Sequence, residues 1–280
     1  MTDISDLKGF SYPLTPGGTS SVVGDLPWYF ATEFLNIVYR TDPEAIAAYL
    51  PYPLEPGAHA DRVCVSFSKW WSLWDNQLDM PFVNPERTWY SETVVWVPCA
   101  FQGEQGQICL HTWVDNDFTL ARGHFMGFPK KLGKTYKTDY NPRNPKMEPP
   151  GPGAKLKGYV IAHGERLMEG TLTVEEQIEA TDLPAPMGFP VYNIRHFPSI
   201  EKGAPPSVLE LVRLDFEDVQ YGDVWRGSAT IDLFPSEIEE HTRLAPISTV
   251  GGYLFSSGCT VTGGRVVHSW VEKGPWSAGF

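Results

Sequence analysis

Apolar and polar residues alternate with a period of two along much of the chain, a pattern typical of half-buried β-strands. In the segment 62–68, for example, Val63, Val65 and Phe67 fall on one face, and smaller or polar residues fall on the other. Further strand candidates, several of them rich in β-branched and aromatic residues, are Thr32–Arg40, Glu92–Phe101, Gln107–Val114, Leu156–His163, Gly170–Glu176, Val208–Gln220, Trp225–Leu233 and Val250–Val261.

Helix signals are few. The clearest is at Ala45–Leu50, where Asp42 can cap the helix and Pro43 suits its first turn. A second short helix is predicted over Ser236–Arg243. The stretch Asn141–Gly153 contains five prolines and two glycines, so it is predicted to be a loop. The pattern therefore predicts a mainly β fold, or β-rich α+β, with few short helices, and we interpret residues 1–280 as a single domain.

Composition and charge exclude several classes of protein. The formal net charge of −12 argues against nucleic acid as a partner, because phosphate binding relies on clustered Lys and Arg. The first residues lack the basic start and apolar run of a signal peptide, and the longest nearly apolar stretch, Val94–Phe101, is too short to span a membrane. We therefore expect no membrane association and a cytoplasmic location.

The cysteines and histidines give no sign of a metal site or a disulfide framework. The four cysteines show no CxxC spacing, and the seven histidines show no HxH or HxxxH pair. No phosphate-binding or dinucleotide-binding loop is present either. The sequence therefore predicts neither a metal nor a cofactor.

The most informative segment is Gly127–Gly133, in which two adjacent lysines follow a phenylalanine and a proline and lie shortly before a glycine. The segment follows Ile108–Leu120, which is predicted to be a strand. Neighbouring side chains of an extended chain point to opposite faces, so only one of Lys130 and Lys131 can enter an interior cavity. Considered alone, two adjacent lysines are ordinarily residues of a surface loop, but the apolar residues that lead into this pair favour burial of one of them.

Segment Gly127–Gly133 closely resembles the lysine motif of the acetoacetate decarboxylase superfamily, and Lys130 takes the position of the lysine that forms the Schiff base. The segment 34–42 is similar to the family's segment around an active-site arginine, matched here by Arg40. The segments 90–92 and 97–101 resemble the stretch that carries a catalytic glutamate, matched by Glu92. Weaker similarity continues through 188–198 and 225–246.

The resemblance implies an antiparallel closed β-barrel around an internal pocket, a small-molecule keto acid as substrate and a homo-oligomeric assembly. Beside the catalytic residues, it implies a substrate pocket lined by Ser66, Lys131, Phe128 and Met126. One position departs from the family, because Ser66 stands where the decarboxylases carry a second glutamate.

Three functions are consistent with this sequence. The first is decarboxylation of acetoacetate, or of a related and bulkier 3-keto acid, through an imine on Lys130. The second is a Schiff-base aldolase-dehydratase that joins pyruvate and an aldehyde, which the loss of a carboxylate at Ser66 favours. The third is a non-catalytic barrel that binds a small molecule. In either reaction the Lys130 amine must be uncharged, so we expect burial to lower its pKa.

Overall fold

The computed structural model describes residues 3–141, 143–147 and 149–271. Within these ranges the chain forms thirteen strands. They are β1 (Trp28–Arg40), β2 (Glu55–Pro56), β3 (Arg62–Trp74), β4 (Trp89–Phe101), β5 (Glu104–Val114), β6 (Lys130–Leu132), β7 (Lys134–Lys137), β8 (Lys155–Ala162), β9 (Glu165–Ile178), β10 (Val191–Phe197), β11 (Val208–Tyr221), β12 (Val224–Leu233) and β13 (Ser248–Ser269).

Helices are short. The α-helices of the described residues are α1 (Pro43–Ala47), α2 (Met80–Val83) and α3 (Asp117–Phe125). Single 3-10 turns occupy Ile4–Asp6, Asp75–Gln77, Pro85–Thr88, Ala180–Asp182 and His241–Leu244. No helix in the described ranges is long and apolar enough to cross a lipid bilayer.

The mainly β prediction with few short helices is confirmed, and helix α1 begins as predicted, with the Asp42 carboxylate accepting a hydrogen bond from the Glu44 amide at 2.9 Å. Two local predictions are wrong. The strand expected over Ile108–Leu120 ends at Val114, and helix α3 follows it. The helix expected over Ser236–Arg243 is only the 3-10 turn His241–Leu244.

Helix α3 replaces the end of the predicted strand because Asn116 caps it. The Asn116 side-chain oxygen accepts a hydrogen bond from the Phe118 amide at 3.4 Å, which satisfies a donor at the helix N-terminus. The nine-residue helix is then held by burial of residues such as Phe118 and Ala121, not by a strong helical hydropathy pattern. Its sequence therefore gave little warning of a helix.

The strands form one sheet in which eleven follow the order β1-β3-β4-β5-β10-β11-β13-β12-β9-β8-β7. Outside this path β2 pairs with β4 and β6 pairs with β5, and β1 also pairs with β13. The antiparallel prediction is correct for most pairs. The exceptions are β5–β6 and β5–β10, which are parallel. Closure of the sheet into a barrel stays a prediction.

The alternation seen in the sequence divides the sheet into two faces with different surroundings. On β1 and β3, Leu35, Ile37 and Phe67 point into the main hydrophobic core. The residues between them, including Asn36 and Ser66, line a pocket on the other face. Burying a large apolar side chain contributes roughly 1.5–3 kcal/mol, so the core face fixes the strand register and thereby fixes which residues face the pocket.

Candidate active site

Lys130 is the first residue of β6 and points into the pocket from a short parallel pairing with β5. Its side chain is only 4% exposed. The Nζ atom lies 2.6 Å from Oε2 of Glu92 and donates a hydrogen bond to Oγ1 of Thr119 at 2.9 Å. The backbone oxygen of Lys130 lies 2.9 Å from Nε2 of His124, a contact that links β6 to the last turn of α3.

Glu92 approaches the lysine from β4, on the face that also carries Tyr90 and Val94 into the pocket. Its side chain is 6% exposed. Apart from the ion pair with Lys130, its Oε2 atom accepts no hydrogen bond from the described residues. Since Glu92 also lines the pocket, a carboxylate with free acceptor capacity faces the space where a substrate would react with Nζ.

Burial lowers the pKa of Lys130 below its usual value, because the charged ammonium loses its hydration inside the protein. The negative charge and hydrogen bond of Glu92 oppose this shift, whereas the positive charge of Arg122 adds to it. The balance is a lowered pKa. The surroundings therefore increase the fraction of neutral amine, the form that can attack a carbonyl group.

The sequence analysis missed Arg122, a fully buried arginine on helix α3. Both of its terminal nitrogens donate to Oγ of Ser72 at 3.2 Å, and its guanidinium centre lies 4.7 Å from the centroid of the Phe30 ring. Arg122 and Thr119 are three residues apart, so a helix places them on one side. Asn116, a residue that favours the helix N-cap, is the sequence signal for this helix. A strand prediction over the same stretch hides the helical spacing of Thr119 and Arg122.

Two glycines allow α3 and β6 to approach each other closely. A Cβ atom added at Gly123 would lie 2.3 Å from Cδ of Lys130, so a side chain there would collide with the lysine. Gly127 has a φ of +81°, in the left-handed region that favours glycine, and it turns the chain from α3 toward β6. The glycine that opens the lysine motif is therefore required by backbone geometry.

The pocket in front of Lys130 has a volume of about 390 Å³. Ser66, Met126 and Phe128 line it, and their role in substrate binding stays a prediction. Ser66 is 1% exposed, and its hydroxyl lies 4.0 Å from Sγ of Cys64. Most of the remaining lining is aromatic or aliphatic.

Arg40 does not reach this pocket, which contradicts its prediction as an active-site residue. It is the last residue of β1, its side chain is 49% exposed, and its guanidinium forms an ion pair with Asp61. Asn36, the last pocket-lining residue of that strand, lies four positions earlier, roughly 13 Å along an extended chain. The strand therefore carries Arg40 beyond the pocket.

Lys131 also lies outside the pocket, so its prediction as a pocket residue is wrong. It points to the opposite face of β6 and forms an ion pair with Glu239, whose side chain is 1% exposed. Oε1 of Glu239 accepts a hydrogen bond from Nε1 of Trp113 at 3.1 Å and lies 3.0 Å from Nε2 of His163. The two adjacent lysines thus lie on opposite faces of β6, as the alternation of side chains in an extended chain requires.

No group of three or more His, Cys, Asp or Glu side chains that could hold a metal ion occurs in the part of the chain that the structure describes. All four cysteines are free thiols, and three of them are buried.

Comparison with known proteins gives a consistent result along the chain. The sequence profile of the acetoacetate decarboxylase family matches residues 11–271. Acetoacetate decarboxylase 1 of Bradyrhizobium diazoefficiens is 26% identical over 256 residues, covering 88% of each chain.

Two solved structures have similar folds. The enduracididine biosynthesis enzyme MppR, complexed with the condensation product of pyruvate and imidazole 4-carboxaldehyde, has a TM-score of 0.87 and 29% identity over 95% of this chain and 98% of its own. An acetoacetate decarboxylase-like enzyme from Sphingomonas wittichii has a TM-score of 0.87 and 28% identity, covering 93% of this chain and 99% of its own.

Proposed function

The chain belongs to the acetoacetate decarboxylase family and is an enzyme, and we propose that it is a carbon–carbon lyase that forms a Schiff base between Lys130 and a keto acid. One observation carries this proposal. The buried Lys130 amine lies 2.6 Å from the Glu92 carboxylate, and both groups face a cavity of about 390 Å³. Membership in a family of enzymes sets aside the alternative of a non-catalytic binding barrel.

The first step is attack of the neutral Lys130 amine on the ketone carbon of the substrate. The carbinolamine that results loses the ketone oxygen as water and becomes a protonated imine. Desolvation and the nearby Arg122 charge both lower the pKa of Lys130, which increases the fraction of amine able to react near neutral pH. Glu92 lies close enough to Nζ to exchange the protons that imine formation requires.

The leading proposal for the next step is loss of carbon dioxide from acetoacetate or a bulkier 3-keto acid. The bond between the carboxylate and its neighbouring carbon breaks, and its electron pair moves to the imine nitrogen, which gives an enamine. A proton then adds to the enamine carbon, and water hydrolyses the imine to free the ketone and Lys130. We assign delivery of that proton to Glu92, whose Oε2 has no other hydrogen-bond partner among the described residues.

Condensation of pyruvate with an aldehyde is a second candidate, and Ser66 favours it. In that reaction the pyruvate imine loses a methyl proton, the enamine attacks the aldehyde carbon, and the adduct loses water. MppR, whose structure contains such a condensation product, shares 29% identity with this chain. The small Ser66 side chain leaves room in the pocket where a glutamate would add bulk and charge.

Borohydride reduction tests the shared intermediate. We expect incubation with acetoacetate or pyruvate, followed by borohydride, to attach the substrate skeleton irreversibly to Lys130. Peptide mapping by mass spectrometry identifies the modified residue, and a Lys130→Met variant provides the control. An adduct on Lys131 alone, or no adduct at all, would refute the proposed function. Carbon dioxide release measured in parallel then separates decarboxylation from condensation.

Cytoplasmic location and homo-oligomeric assembly stay predictions. Size-exclusion chromatography with light scattering would measure the assembly state directly.

A further inference from the structure

A continuous row of aromatic rings leads away from the Lys130 amine along one wall of the pocket. The Nζ atom lies 5.3 Å from the centroid of the Tyr90 ring. Trp70 stacks on Tyr90 at 5.9 Å with an interplanar angle of 1°, and Phe34 meets Trp70 edge-on at 5.5 Å. All three rings line the pocket.

The row continues to the protein surface. Phe255 lies 5.0 Å from Phe34, and Tyr221 lies 6.0 Å from Phe255. Tyr221 is 41% exposed, whereas Phe255 is 7% exposed. The rings thus connect the buried amine with a partly exposed rim.

The segment before β10 adds further apolar lining to the pocket. Leu183, Met187 and Phe189 contribute to the lining from the segment before β10. Among the described residues, the charged side chains that line the pocket are Lys130, Glu92 and Arg213. Arg213 is already paired with Glu104 through two hydrogen bonds, at 2.8 and 3.0 Å. The rest of the pocket is mostly apolar, with Thr32, Asn36, Gln107 and Ser257 as further polar lining residues.

Acetoacetate is too short to use this apolar wall. Once its ketone carbon is bonded to Nζ, its methyl and carboxylate ends extend only two bonds or so farther. Phe255 pairs with Phe34, Phe34 with Ser68, and Ser68 with Glu92, so Phe255 lies three strands away from the Glu92 that contacts Nζ, roughly 14 Å along the sheet. Contiguous apolar side chains in a pocket usually bind an apolar part of a ligand, because removing both surfaces from water is favourable. Aromatic rings additionally favour stacked or edge-on contact with another ring.

We propose that this enzyme acts on carbonyl compounds that carry an aromatic ring, and that the ring binds against Phe34 and Phe255. The inference rests on the proposed imine at Lys130. In decarboxylation the substrate is an aryl-substituted 3-keto acid, which yields carbon dioxide and an aryl-substituted ketone. In condensation the ring belongs to the aldehyde that joins the pyruvate enamine. Both cases place the aromatic group in the same part of the pocket.

The test compares acetoacetate with acetoacetate that carries a phenyl ring on its methyl carbon. We expect kcat/KM to be at least about tenfold higher for the phenyl compound, since burial of a ring in an apolar site is worth a factor of this order. For condensation, benzaldehyde is compared with acetaldehyde in the presence of pyruvate, and the same preference is expected.

Variants at the far end of the aromatic row connect the preference to this wall. Phe255→Ala and Tyr221→Ala are each expected to lower the ratio of phenyl to unsubstituted kcat/KM by about threefold or more. Tyr221 is partly exposed, so its variant keeps the test usable if Phe255→Ala fails to fold. Tyr52→Ala is the matched control, because Tyr52 is 82% exposed and does not line the pocket. A ratio that stays at the wild-type value in folded Tyr221→Ala would contradict the proposed placement of the ring.

Borohydride trapping distinguishes failure of the aryl preference from failure of imine formation at Lys130. If small and aryl substrates both form an adduct on Lys130 but the wild-type enzyme shows no preference for the aryl compound, this inference is wrong and the proposed function stands. If neither substrate forms an adduct, the proposed function fails and this inference fails with it.

Discussion

Nζ of Lys130 and Oε2 of Glu92 lie 2.6 Å apart, and both side chains are almost completely buried. The two residues come from different strands, β6 and β4, which are separated along the chain by β5 and helix α3. A buried lysine would be expected to lose its proton, whereas a carboxylate at this distance favours its retention. The lowered pKa of Lys130 shows that desolvation, assisted by Arg122, outweighs the attraction of Glu92. The pair is thus suited to proton exchange during imine formation and breakdown.

Replacement Glu92→Gln removes the charge but keeps the size of the side chain. We expect kcat to fall by about 10²–10⁴-fold, the usual contribution of a positioned acid or base, while the fold is retained. Steady-state kinetics over a range of pH values provides the measurement, with circular dichroism to verify folding. The control is Glu44→Gln on the exposed part of α1. Wild-type turnover across the pH range would show that Glu92 has only a structural role.

Ser66 distinguishes the two candidate reactions. We expect slow release of carbon dioxide from acetoacetate by the wild type, and a relative gain for acetoacetate in Ser66→Glu, where a carboxylate returns to the pocket. The new charge is buried and has no designed partner, so stability should decrease. Thermal unfolding must therefore be measured beside carbon dioxide release.

The control for this experiment is Ser66→Ala, which keeps the small size without a carboxylate and should leave the substrate preference close to that of the wild type. If acetoacetate is the best wild-type substrate in a panel of keto acids and aldehyde pairs, the argument from Ser66 fails and simple decarboxylation stands.

Arg122 should affect the pH dependence of imine formation. Its positive charge lowers the pKa of Lys130, so Arg122→Met should raise that pKa. Because only the neutral amine reacts, the acidic limb of the pH–rate profile should move to higher pH in this variant. Rates of borohydride trapping, measured against pH, report this limb directly.

Arg122→Lys keeps a positive charge and is the matched variant. It should shift the acidic limb less than Arg122→Met, even if both variants lose some stability through altered packing against Phe30 and Ser72. Identical profiles for the wild type and folded Arg122→Met would show that Arg122 does not contribute to the pKa of Lys130.

Lys131→Met should lower the stability of the fold without affecting imine formation at Lys130. Oε2 of the buried Glu239 would lose its ion-pair partner, whereas Oε1 keeps Trp113 and His163, so the free energy of unfolding should fall by roughly 1–3 kcal/mol, the usual cost of an unsatisfied buried acceptor. Trapping on Lys130 should persist, because Lys131 points away from the pocket. Chemical denaturation and adduct mass spectrometry measure the two effects. Loss of the adduct in a folded variant would contradict this separation.

Sequence reasoning located the β-strands well because a half-buried strand needs only a local alternation of apolar and polar residues. It failed at helix α3, whose nine residues depend on the Asn116 cap and on tertiary burial of Phe118. The same failure concealed Arg122, because the spacing of Thr119 and Arg122 is meaningful only on a helix.

The sequence by itself determined the mainly β character, the alternation that separates Lys130 from Lys131, and the family motif that indicates Lys130 and Glu92. Tertiary structure decided that Arg40 lies outside the pocket and Arg122 lies beside it, since burial and ion pairing depend on how distant segments pack. It also assembled the aromatic row, whose rings come from β1, β3, β4, β11 and β13. Each of these strands shows its own two-sided pattern, but strand pairing across the sheet brings their pocket faces together.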